Sequence, residues 1–356
     1  MSALQEYLRN GGLSTITEDL GVRVRQHPKY PNLHLFNYSQ VDSPKAHPVV
    51  VECRGSILDK DDDWAFVCRP FDRFFNYGEG CAAEIDWSTA TVLTKEDGTF
   101  VALWWYAGEW HVSTRGVPDA SGPVGSSGHT FADLFWATLR GRGPQHDDRH
   151  CTWMWELCAR ENRVVVPYPE AQVKLIAVRS NRWGWEHTLA DCTDDFPCVE
   201  VHQLDTLDGI LETFESLPAL HNEGYVVVDK YFNRIKVKHP GYVALHHLRG
   251  SGGDKQVLRL LLDGEDTEFL TYFPEHRPDF ERIQDLLDTC IGTLEAFWDQ
   301  AKGAPTRKDF ALQVKAAGVQ PPGPLFKKWA DPDLDLEAEV RGLKVPYLLR
   351  VLGLKD

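Results

Sequence analysis

The chain has 356 residues, 42% of them hydrophobic, which is enough for two domains of ordinary size with sizeable cores. Its formal net charge of −15 excludes the broad basic surface of a typical nucleic-acid binder and leaves room for a local basic groove. The eight cysteines contain no C-x-x-C pair, which argues against a zinc ribbon or a dithiol redox motif. The scattered cysteines, with no apolar signal-peptide core and no membrane-spanning stretch, predict a cytoplasmic protein.

The first two thirds of the chain alternate β-rich pieces with few helices. Helices are predicted over residues 2–10, 130–139 and 206–216. Strands are predicted at His34–Tyr38, Val49–Arg54 continuing through Ser56–Leu58, Ala65–Arg69, Ala90–Leu93, Phe100–Tyr106, Trp110–Arg115, Thr152–Leu157, Val164–Val166, Val173–Arg179, Glu223–Asp229 and Arg234–Val237. This alternation predicts an α+β domain with antiparallel sheets over residues 1–248.

The composition changes at residues 249–255, a Gly-rich stretch that we interpret as a linker. Beyond it, Pro278–Lys302 carries apolar residues at helical spacing, including Leu286 and Cys290. Shorter helices are predicted over residues 307–317, 323–331, 334–342 and 346–352. Residues 256–356 are therefore predicted to form a small all-helical domain.

Lys95 is the first candidate for chemistry. It lies in Leu93–Phe100 (LTKEDGTF), beside the tight-turn dipeptide Asp97-Gly98 and between two predicted strands. We expect the two strands to form a hairpin with Lys95 at a strand end. By itself K-x-D-G fits an ordinary turn with a solvated lysine better than an active site, so the interpretation depends on charged residues further along the chain.

Two carboxylates and two lysines lie downstream of Lys95 in a fixed order. Glu156 and Glu223 belong to apolar strands, where a charge without a partner is costly. Lys236 and Lys238 alternate on one strand, so both face the same side and can meet one phosphate. Each residue alone also fits an edge strand facing solvent, whereas all of them in this order indicate covalent nucleotide transfer.

Two arginines precede Lys95 at strand ends, next to glycine or aromatic residues. Arg54 comes directly after the apolar run at residues 49–53, and Arg73 lies within Arg69–Gly80 (RPFDRFFNYGEG). The planar guanidinium donates two hydrogen bonds to two oxygens, so arginine in such a place is a good phosphate ligand.

The order K-x-D-G, strand-borne Glu, E-G-x-V-V and K-x-K resembles that of the covalent nucleotidyltransferases, which include DNA ligases, RNA ligases and mRNA capping enzymes. Longer strings narrow the resemblance to the phage-type RNA ligase 1 family over about Glu52 to His247. They are ECRG (52–55), FFN (74–76), LTKEDG (93–98), ENRVVVPY (161–168), VKLIAVR (173–179), EGYVV (223–227) and KVKHPGYVALH (236–246). The C-terminal part resembles that family only in being helical.

The resemblance implies catalytic roles. Lys95 would attack the α-phosphate of ATP, Lys236 and Lys238 would hold the adenylate phosphate, and Lys238 would help to keep Lys95 deprotonated. Glu223 would orient a divalent metal, Mg²⁺ or Mn²⁺. Glu156 would hold the ribose hydroxyls.

The resemblance also implies a nucleotide-binding shell. Arg54 and Arg73 would bind the leaving β- and γ-phosphates, and Val173–Arg179 would pack on the adenine. The remaining predicted nucleotide-binding residues are Thr94 and Glu96 beside the nucleophile, Arg115 in STRG, and Lys174 near the phosphates.

The implied activity is an ATP-dependent RNA ligase. It would join RNA 3′-OH and 5′-phosphate ends through a lysyl-AMP and an RNA-adenylate, serving repair of broken RNA such as cleaved tRNA, with the helical domain choosing the RNA and no protein partner or membrane implied. One alternative is a capping guanylyltransferase or DNA ligase, which is expected to carry a further C-terminal OB-type barrel. The other is a nucleotide-binding RNA sensor that has lost catalysis.

Overall fold

The structure is a computed structural model that describes residues 2–125, 127–140, 144, 149–187, 189, 196–247 and 253–355. The chain divides into a first unit, residues 1–246, and a second unit, residues 247–356. Residues 249–252 of the predicted linker and Cys192 lie outside the described residues. No helix in the described part of the chain is long and apolar enough to cross a bilayer.

The first unit contains every described strand. These are β1 Val22–Gln26, β2 Leu33–Tyr38, β3 Arg54–Asp59, β4 Ala65–Cys68, β5 Phe75–Asn76, β6 Thr91–Thr94, β7 Thr99–Tyr106, β8 Glu109–Thr114, β9 Cys151–Cys158, β10 Gln172–Ser180, β11 Glu186–His187, β12 Val201–His202, β13 Gly224–Val228 and β14 Arg234–Lys238. Its helices are α1 Ala3–Arg9, α2 Ile16–Leu20, α3 Pro48–Glu52, α4 Phe131–Leu139, α5 Leu207–Thr213 and α6 Pro240–His247, the last ending at the boundary of the unit.

Three sheets organise these strands. The four-stranded sheet has the order β1-β2-β3-β4, and the two five-stranded sheets have the orders β11-β10-β9-β7-β8 and β12-β6-β13-β14-β5. Every pairing is antiparallel except the two-residue pairing of β5 with β14. The expected α+β class with antiparallel sheets and a helical C-terminal part is confirmed.

The second unit is helical throughout its described residues. Its helices are α7 Asp254–Asp263, α8 Asp266–Tyr272, α9 Arg277–Ala301, α10 Arg307–Ala317, α11 Pro322–Ala330, α12 Leu336–Arg341 and α13 Val345–Val351. The long helix α9 buries Phe280, Ile283, Leu287, Ile291 and Leu294 at spacings of three and four. Leu286 is 37% exposed and does not belong to this face, contrary to the prediction.

The predicted strand Val49–Arg54 is wrong, because residues Pro48–Glu52 form helix α3. Pro48 supplies a fixed φ at the first helical position, and the His47 ring accepts a hydrogen bond from the Val49 N–H at 3.3 Å. Burial of two valines of this helix outweighs the strand preference of a β-branched run. The strand begins only at Arg54.

The predicted hairpin around Lys95 is also wrong. Strand β6 and strand β7 belong to different sheets, so the chain crosses between sheets at Glu96–Gly98 instead of turning back on itself. Gly98 is needed for this crossing because a Cβ there would lie 2.4 Å from the carbonyl oxygen of Leu157. The Asp97-Gly98 dipeptide correctly indicated that the backbone passes through a tight space. It wrongly indicated that β6 and β7 pair with each other.

Gly98→Ala is therefore expected to lower the free energy of unfolding by about 1–3 kcal/mol, since a backbone carbonyl cannot move aside as a side chain can. Urea unfolding measures the change. Gly80→Ala is the matched control, because nothing lies within 4 Å of a Cβ at that position. Equal unfolding midpoints for the two variants would show that the close approach does not constrain the loop.

The third correction concerns Val164–Val166, which form no strand. The backbone N–H groups of Val165 and Val166 donate to the side chain of Asp97 instead of to a neighbouring strand. The buried Asp97 carboxylate therefore accepts the hydrogen bonds that the backbone of a neighbouring strand would otherwise accept.

Candidate active site

A cavity of about 190 Å³ lies between the two five-stranded sheets. Strands β6, β13 and β14 of one sheet and strands β7, β9 and β10 of the other contribute to its wall. The fold therefore gathers charged residues from distant parts of the chain in one place. The site residues predicted from the sequence that line this first cavity are Arg54, Thr94, Lys95, Glu96, Glu156, Lys236 and Lys238.

Lys95 comes directly after the last residue of β6 and faces a carboxylate. Its backbone N–H donates to the carbonyl oxygen of Gly224 at 2.9 Å, and its Nζ lies 2.7 Å from Oε2 of Glu223. The other oxygen of Glu223 lies 3.5 Å from Nζ of Lys238. A single carboxylate, 5% exposed, thus lies between two lysine amines, so the predicted nucleophile and the predicted phosphate ligand share one counter-charge.

The side chain of Asp97 fixes the loop that carries Lys95. Its Oδ2 accepts hydrogen bonds from the N–H groups of Val165 and Val166, both at 2.7 Å. Its Oδ1 accepts one from the hydroxyl of Tyr242 at 2.7 Å. Asp97 is 3% exposed, so the three bonds are made without competition from water and hold the loop in one conformation.

The residues on either side of Lys95 have partners of their own. The hydroxyl of Thr94 lies 2.7 Å from Nε2 of His202 on β12. The carboxylate of Glu96 accepts a hydrogen bond from the hydroxyl of Tyr168 at 3.1 Å. Burial raises the pKa of Glu96, and the hydrogen bond from Tyr168 opposes this shift. Both residues line the first cavity while their polar groups are tied to the protein.

Glu156 enters the cavity from the middle of β9. Burial, together with the neighbouring charge of Glu223, raises its pKa to about 8, against the opposing effects of Lys95, Arg54 and the N–H of Gly98. At neutral pH the carboxyl is therefore mostly protonated. In that form it can donate one hydrogen bond and accept others, which suits a hydroxyl-bearing ligand such as a ribose.

Glu156→Gln is expected to remove a pH dependence of stability. Between pH 4.5 and about 8 the folded protein keeps the proton on Glu156 whereas the unfolded chain loses it, so the free energy of unfolding falls as the pH rises through this range. Relative to the parent, the variant should gain about 2–4 kcal/mol between the two ends of the range. Urea unfolding at both ends tests this, with the exposed Glu215→Gln as control. Parallel pH profiles of parent and Glu156→Gln would contradict it.

Arg54 is a half-buried cation with one buried N–H donor that has no acceptor among the described residues. Its guanidinium lies 5.8, 5.4 and 4.9 Å from the ring centres of Phe71, Phe74 and Phe100. Its Nη1 is buried and has no hydrogen-bond partner in the described structure. Burial lowers the pKa of Arg54 from its very high ordinary value, which leaves the group charged. A cation with a buried donor that lacks an acceptor favours an anionic ligand such as a phosphate.

Arg73 and Arg115 do not line the first cavity and meet instead at Tyr38. The guanidinium of Arg73 lies 4.0 Å from the Tyr38 ring centre, and Nη1 of Arg115 lies 3.5 Å from the Tyr38 hydroxyl. Arg73 is 7% exposed, and its Nη1 is buried with no partner in the described structure. The two arginines predicted to act together, Arg54 and Arg73, thus lie in different surroundings, and Arg73 lines a second cavity instead.

Apolar side chains form the remaining wall of the first cavity. Ile176 is the member of the predicted adenine-packing segment that reaches it, and Val199 and Val226 join it there. Lys174 does not line the cavity. Its backbone lies opposite that of Glu156 in the β9–β10 pairing, and its charge opposes the rise in the pKa of Glu96 that burial causes.

Sequence reasoning missed several residues of the site. Tyr38 and Tyr168 gave no signal, because an aromatic residue near a strand or in an apolar run usually packs in the core. Phe74 and Arg234 line the first cavity, and both are also shared with the second one. The only available signal was the unusual density of arginine and phenylalanine in residues 69–76.

The few carboxylates at this site fit a hard divalent cation whose remaining ligands are water and substrate oxygens. No group of three His, Cys, Asp or Glu side chains in the described ranges lies close enough to hold a metal. Glu96 and Glu156 line the first cavity, and Glu223, which is not among its lining residues, is close enough to raise the pKa of Glu156. Mg²⁺ and similar ions are commonly held by one or two carboxylates together with water and substrate phosphates.

Comparison with known proteins shows the family of the chain. A family model described as RNA ligase, of the phage T4 RNA ligase 1 type, matches residues 52–242, more than half of the chain. A putative bifunctional polynucleotide kinase/RNA ligase of Autographa californica nuclear polyhedrosis virus is 30% identical over 303 residues, covering 77% of this chain and 42% of that protein. An RNA ligase of Rhodothermus phage RM378 is 26% identical over 320 residues, covering 69% of this chain and 71% of the relative.

Solved structures are similar at lower identity. An archaeal ATP-dependent RNA ligase is 13% identical with a TM-score of 0.48, covering 88% of this chain and 89% of that one. A putative ATP-dependent DNA ligase from Aquifex aeolicus is 12% identical with a TM-score of 0.45, covering 86% of both chains. The stretch matched by the family runs from Glu52 through the loop with Lys95 to Tyr242. This chain belongs to the phage T4 type RNA ligase 1 family.

Proposed function

We propose that the protein is an ATP-dependent RNA ligase that joins RNA 3′-OH and 5′-phosphate ends through a lysyl-AMP on Lys95. The observation that carries the proposal is the Glu223 carboxylate between the amines of Lys95 and Lys238, two lysines that line the first cavity together with the cation of Arg54. A nucleophilic amine, phosphate-binding cations and an oxygen ligand for a metal are what covalent adenylyl transfer requires.

In the first step the neutral amine of Lys95 forms a bond to the α-phosphorus of ATP, and the bond to the β-phosphate oxygen breaks with loss of pyrophosphate. Lys236 and Lys238 alternate on β14 and both line the cavity, so they hold the α-phosphate as charge grows on it. Without nucleotide the Lys95 amine is paired with Glu223. The amine must lose its proton before it attacks, because only the neutral amine is a nucleophile.

In the second step an oxygen of an RNA 5′-phosphate attacks the same phosphorus and the bond to Lys95 breaks. In the third step a 3′-hydroxyl attacks the RNA phosphorus, and AMP leaves. Glu156, protonated at neutral pH, holds the ribose of the adenylate, while Ile176 and Val226 pack on the base. Arg54 binds the phosphates of the leaving pyrophosphate.

A divalent metal, Mg²⁺ or Mn²⁺, supplies positive charge at the reacting phosphates when it is bound. Glu223 is the residue proposed to hold it, with water and phosphate oxygens as the other ligands. The position of Glu223 beside Lys95 supports this role, because Glu223 would hold the metal next to the amine that is proposed to attack the phosphorus.

The test is incubation of the protein with α-labelled ATP or GTP and a divalent metal, followed by denaturing electrophoresis. A labelled protein band with ATP only, discharged by 5′-phosphorylated RNA, is the expected result. A band with GTP would instead favour a capping-type guanylyltransferase. Nucleotide binding without any covalent band would favour the sensor that has lost catalysis.

The helical character of residues 253–355 favours an RNA ligase over the capping enzyme or DNA ligase, since no strand of an OB-type barrel occurs in that described range. Repair of broken RNA such as cleaved tRNA is the proposed role, and the helical unit is the proposed selector of the RNA. The cysteines within the described residues are all free thiols, which supports a reducing, cytoplasmic setting.

A further inference from the structure

A second cavity adjoins the first and shares Phe71, Phe74 and Arg234 with it. Two turns border this second cavity, one through Gly184 and the other through Tyr231 and Phe232. The buried ion pair between Arg234 and Glu186 links the strands next to the two turns, with nitrogen–oxygen distances of 2.8 and 2.5 Å. The turns are therefore held beside one opening that leads toward the reacting groups.

These turns expose aromatic rings. Trp183 and Tyr231 are each 66% exposed, and Trp185 and Phe232 are also exposed. Elsewhere in the described part of the chain the only other exposed large aromatic side chain is Tyr77, which comes directly after β5, close to residues that line the same cavity. The exposed aromatic surface is thus concentrated around one opening, and concentration of this kind marks a binding surface.

The turns are built to present the rings. Phe232 has a φ of +64°, a conformation in which glycine or asparagine is normally found. The Asp229 carboxylate holds that turn by accepting hydrogen bonds from the N–H groups of Tyr231 and Asn233 at 2.9 and 3.1 Å. In the other turn the Arg179 side chain donates to the Gly184 carbonyl at 2.9 Å. Side-chain hydrogen bonds thus hold both turns, and Phe232 places a bulky ring where glycine or asparagine is usual.

Cations accompany the rings. The Arg182 guanidinium lies 4.7 Å from the Trp183 ring centre, and the Lys230 amine, also paired with Asp86, lies 4.8 Å from that of Tyr231. Arg73, with its unmet buried nitrogen, lines the cavity itself. Rings that can stack on bases, combined with cations that can meet phosphates, are the features by which proteins bind single-stranded nucleic acid.

We infer that the second cavity and its two aromatic turns bind the single-stranded RNA segment next to the 5′-phosphate that receives AMP. This inference rests on the proposed RNA ligase activity and adds the place where that strand is held. The bases stack on Trp183 and on Tyr231 or Phe232. The RNA strand thereby runs toward the residues shared by the two cavities, where its 5′-phosphate reaches the adenylate on the enzyme.

The experiment measures AMP transfer from isolated enzyme–AMP to a 5′-phosphorylated, 3′-blocked single-stranded oligoribonucleotide. Trp183→Ser and Tyr231→Ser should each raise the RNA concentration for half-maximal transfer by about fivefold or more, because one stacking contact is lost. Trp183→Phe and Tyr231→Phe should retain near-parental values. Labelling of the protein by ATP alone should not change in any of the four, since neither ring lines the first cavity.

Phe232→Asn separates binding from folding, because asparagine tolerates the left-handed conformation and the turn should keep its stability. The expected result is weakened transfer with an unchanged unfolding midpoint. Leu220→Ser, which removes an exposed apolar side chain outside the second cavity, is the control. Parental transfer in all the serine and asparagine variants would overturn the inference and leave the surface to a protein partner. Failure of the parental protein to label with ATP would overturn the proposed function itself.

Discussion

Replacement of Lys95 by arginine is expected to lower covalent enzyme–AMP formation by about four orders of magnitude or more, as removal of a nucleophile does in other enzymes. In the parent, the Lys95 amine lies 2.7 Å from Glu223. Arginine at this position retains the positive charge opposite Glu223, but the guanidinium does not lose a proton at ordinary pH. The loss of activity therefore reports the missing nucleophile and not a missing ion pair. Labelling with α-labelled ATP is the measurement.

A second substrate makes the assignment of Lys95 sharper. RNA that already carries a 5′-adenylate bypasses the lysine, because AMP leaves directly when the 3′-hydroxyl attacks. Lys95→Arg should join such RNA with a far smaller loss of rate than its loss in ATP labelling. Lys60→Arg, at an exposed lysine, is the matched control and should behave as the parent in both assays. Covalent labelling of Lys95→Arg at the parental rate would place the nucleophile elsewhere.

Replacement of Asp97 by alanine is expected to lower the free energy of unfolding by about 3–5 kcal/mol, the largest loss expected for any single change in the loop that carries Lys95. The buried carboxylate accepts three hydrogen bonds of 2.7 Å, and its removal leaves two backbone N–H groups and one hydroxyl without acceptors. The loop with Lys95 also loses its anchor, so ATP labelling should fall together with the urea midpoint.

Two graded variants test the Asp97 argument. Asp97→Asn can keep its oxygen toward Val165 and Val166 and turn its amide toward the Tyr242 hydroxyl, which then accepts, so its loss of stability should be smaller than that of alanine. Tyr242→Phe removes one of the three bonds and should cost about 1–2 kcal/mol. If Asp97→Ala were more stable than Asp97→Asn, the proposed anchoring of the loop by Asp97 would be contradicted.

Most of the longer strands of the first unit could be predicted from local pattern, whereas β1, α2 and α6 were not predicted. The two strands that were predicted wrongly have physical causes. Pro48 and the His47 cap form a helix from a run of valines that reads as strand. Val164–Val166 read as strand for the same reason, but the Asp97 carboxylate uses the N–H groups of Val165 and Val166. In both cases a specific polar contact outweighed the strand preference of β-branched residues.

The sequence by itself determined the order of the candidate residues for chemistry, because the K-x-D-G, E-G-x-V-V and K-x-K motifs are short and local. It also determined the α+β class from the periods of the apolar residues. Only the tertiary structure decided which residues meet. It placed β6 and β7 in different sheets, assigned Arg54 and Arg73 to different cavities, and brought Tyr38 beside two arginines. Such meetings depend on sheet order and on buried side-chain contacts between residues far apart in the chain, which local periodicity and motif spacing do not encode.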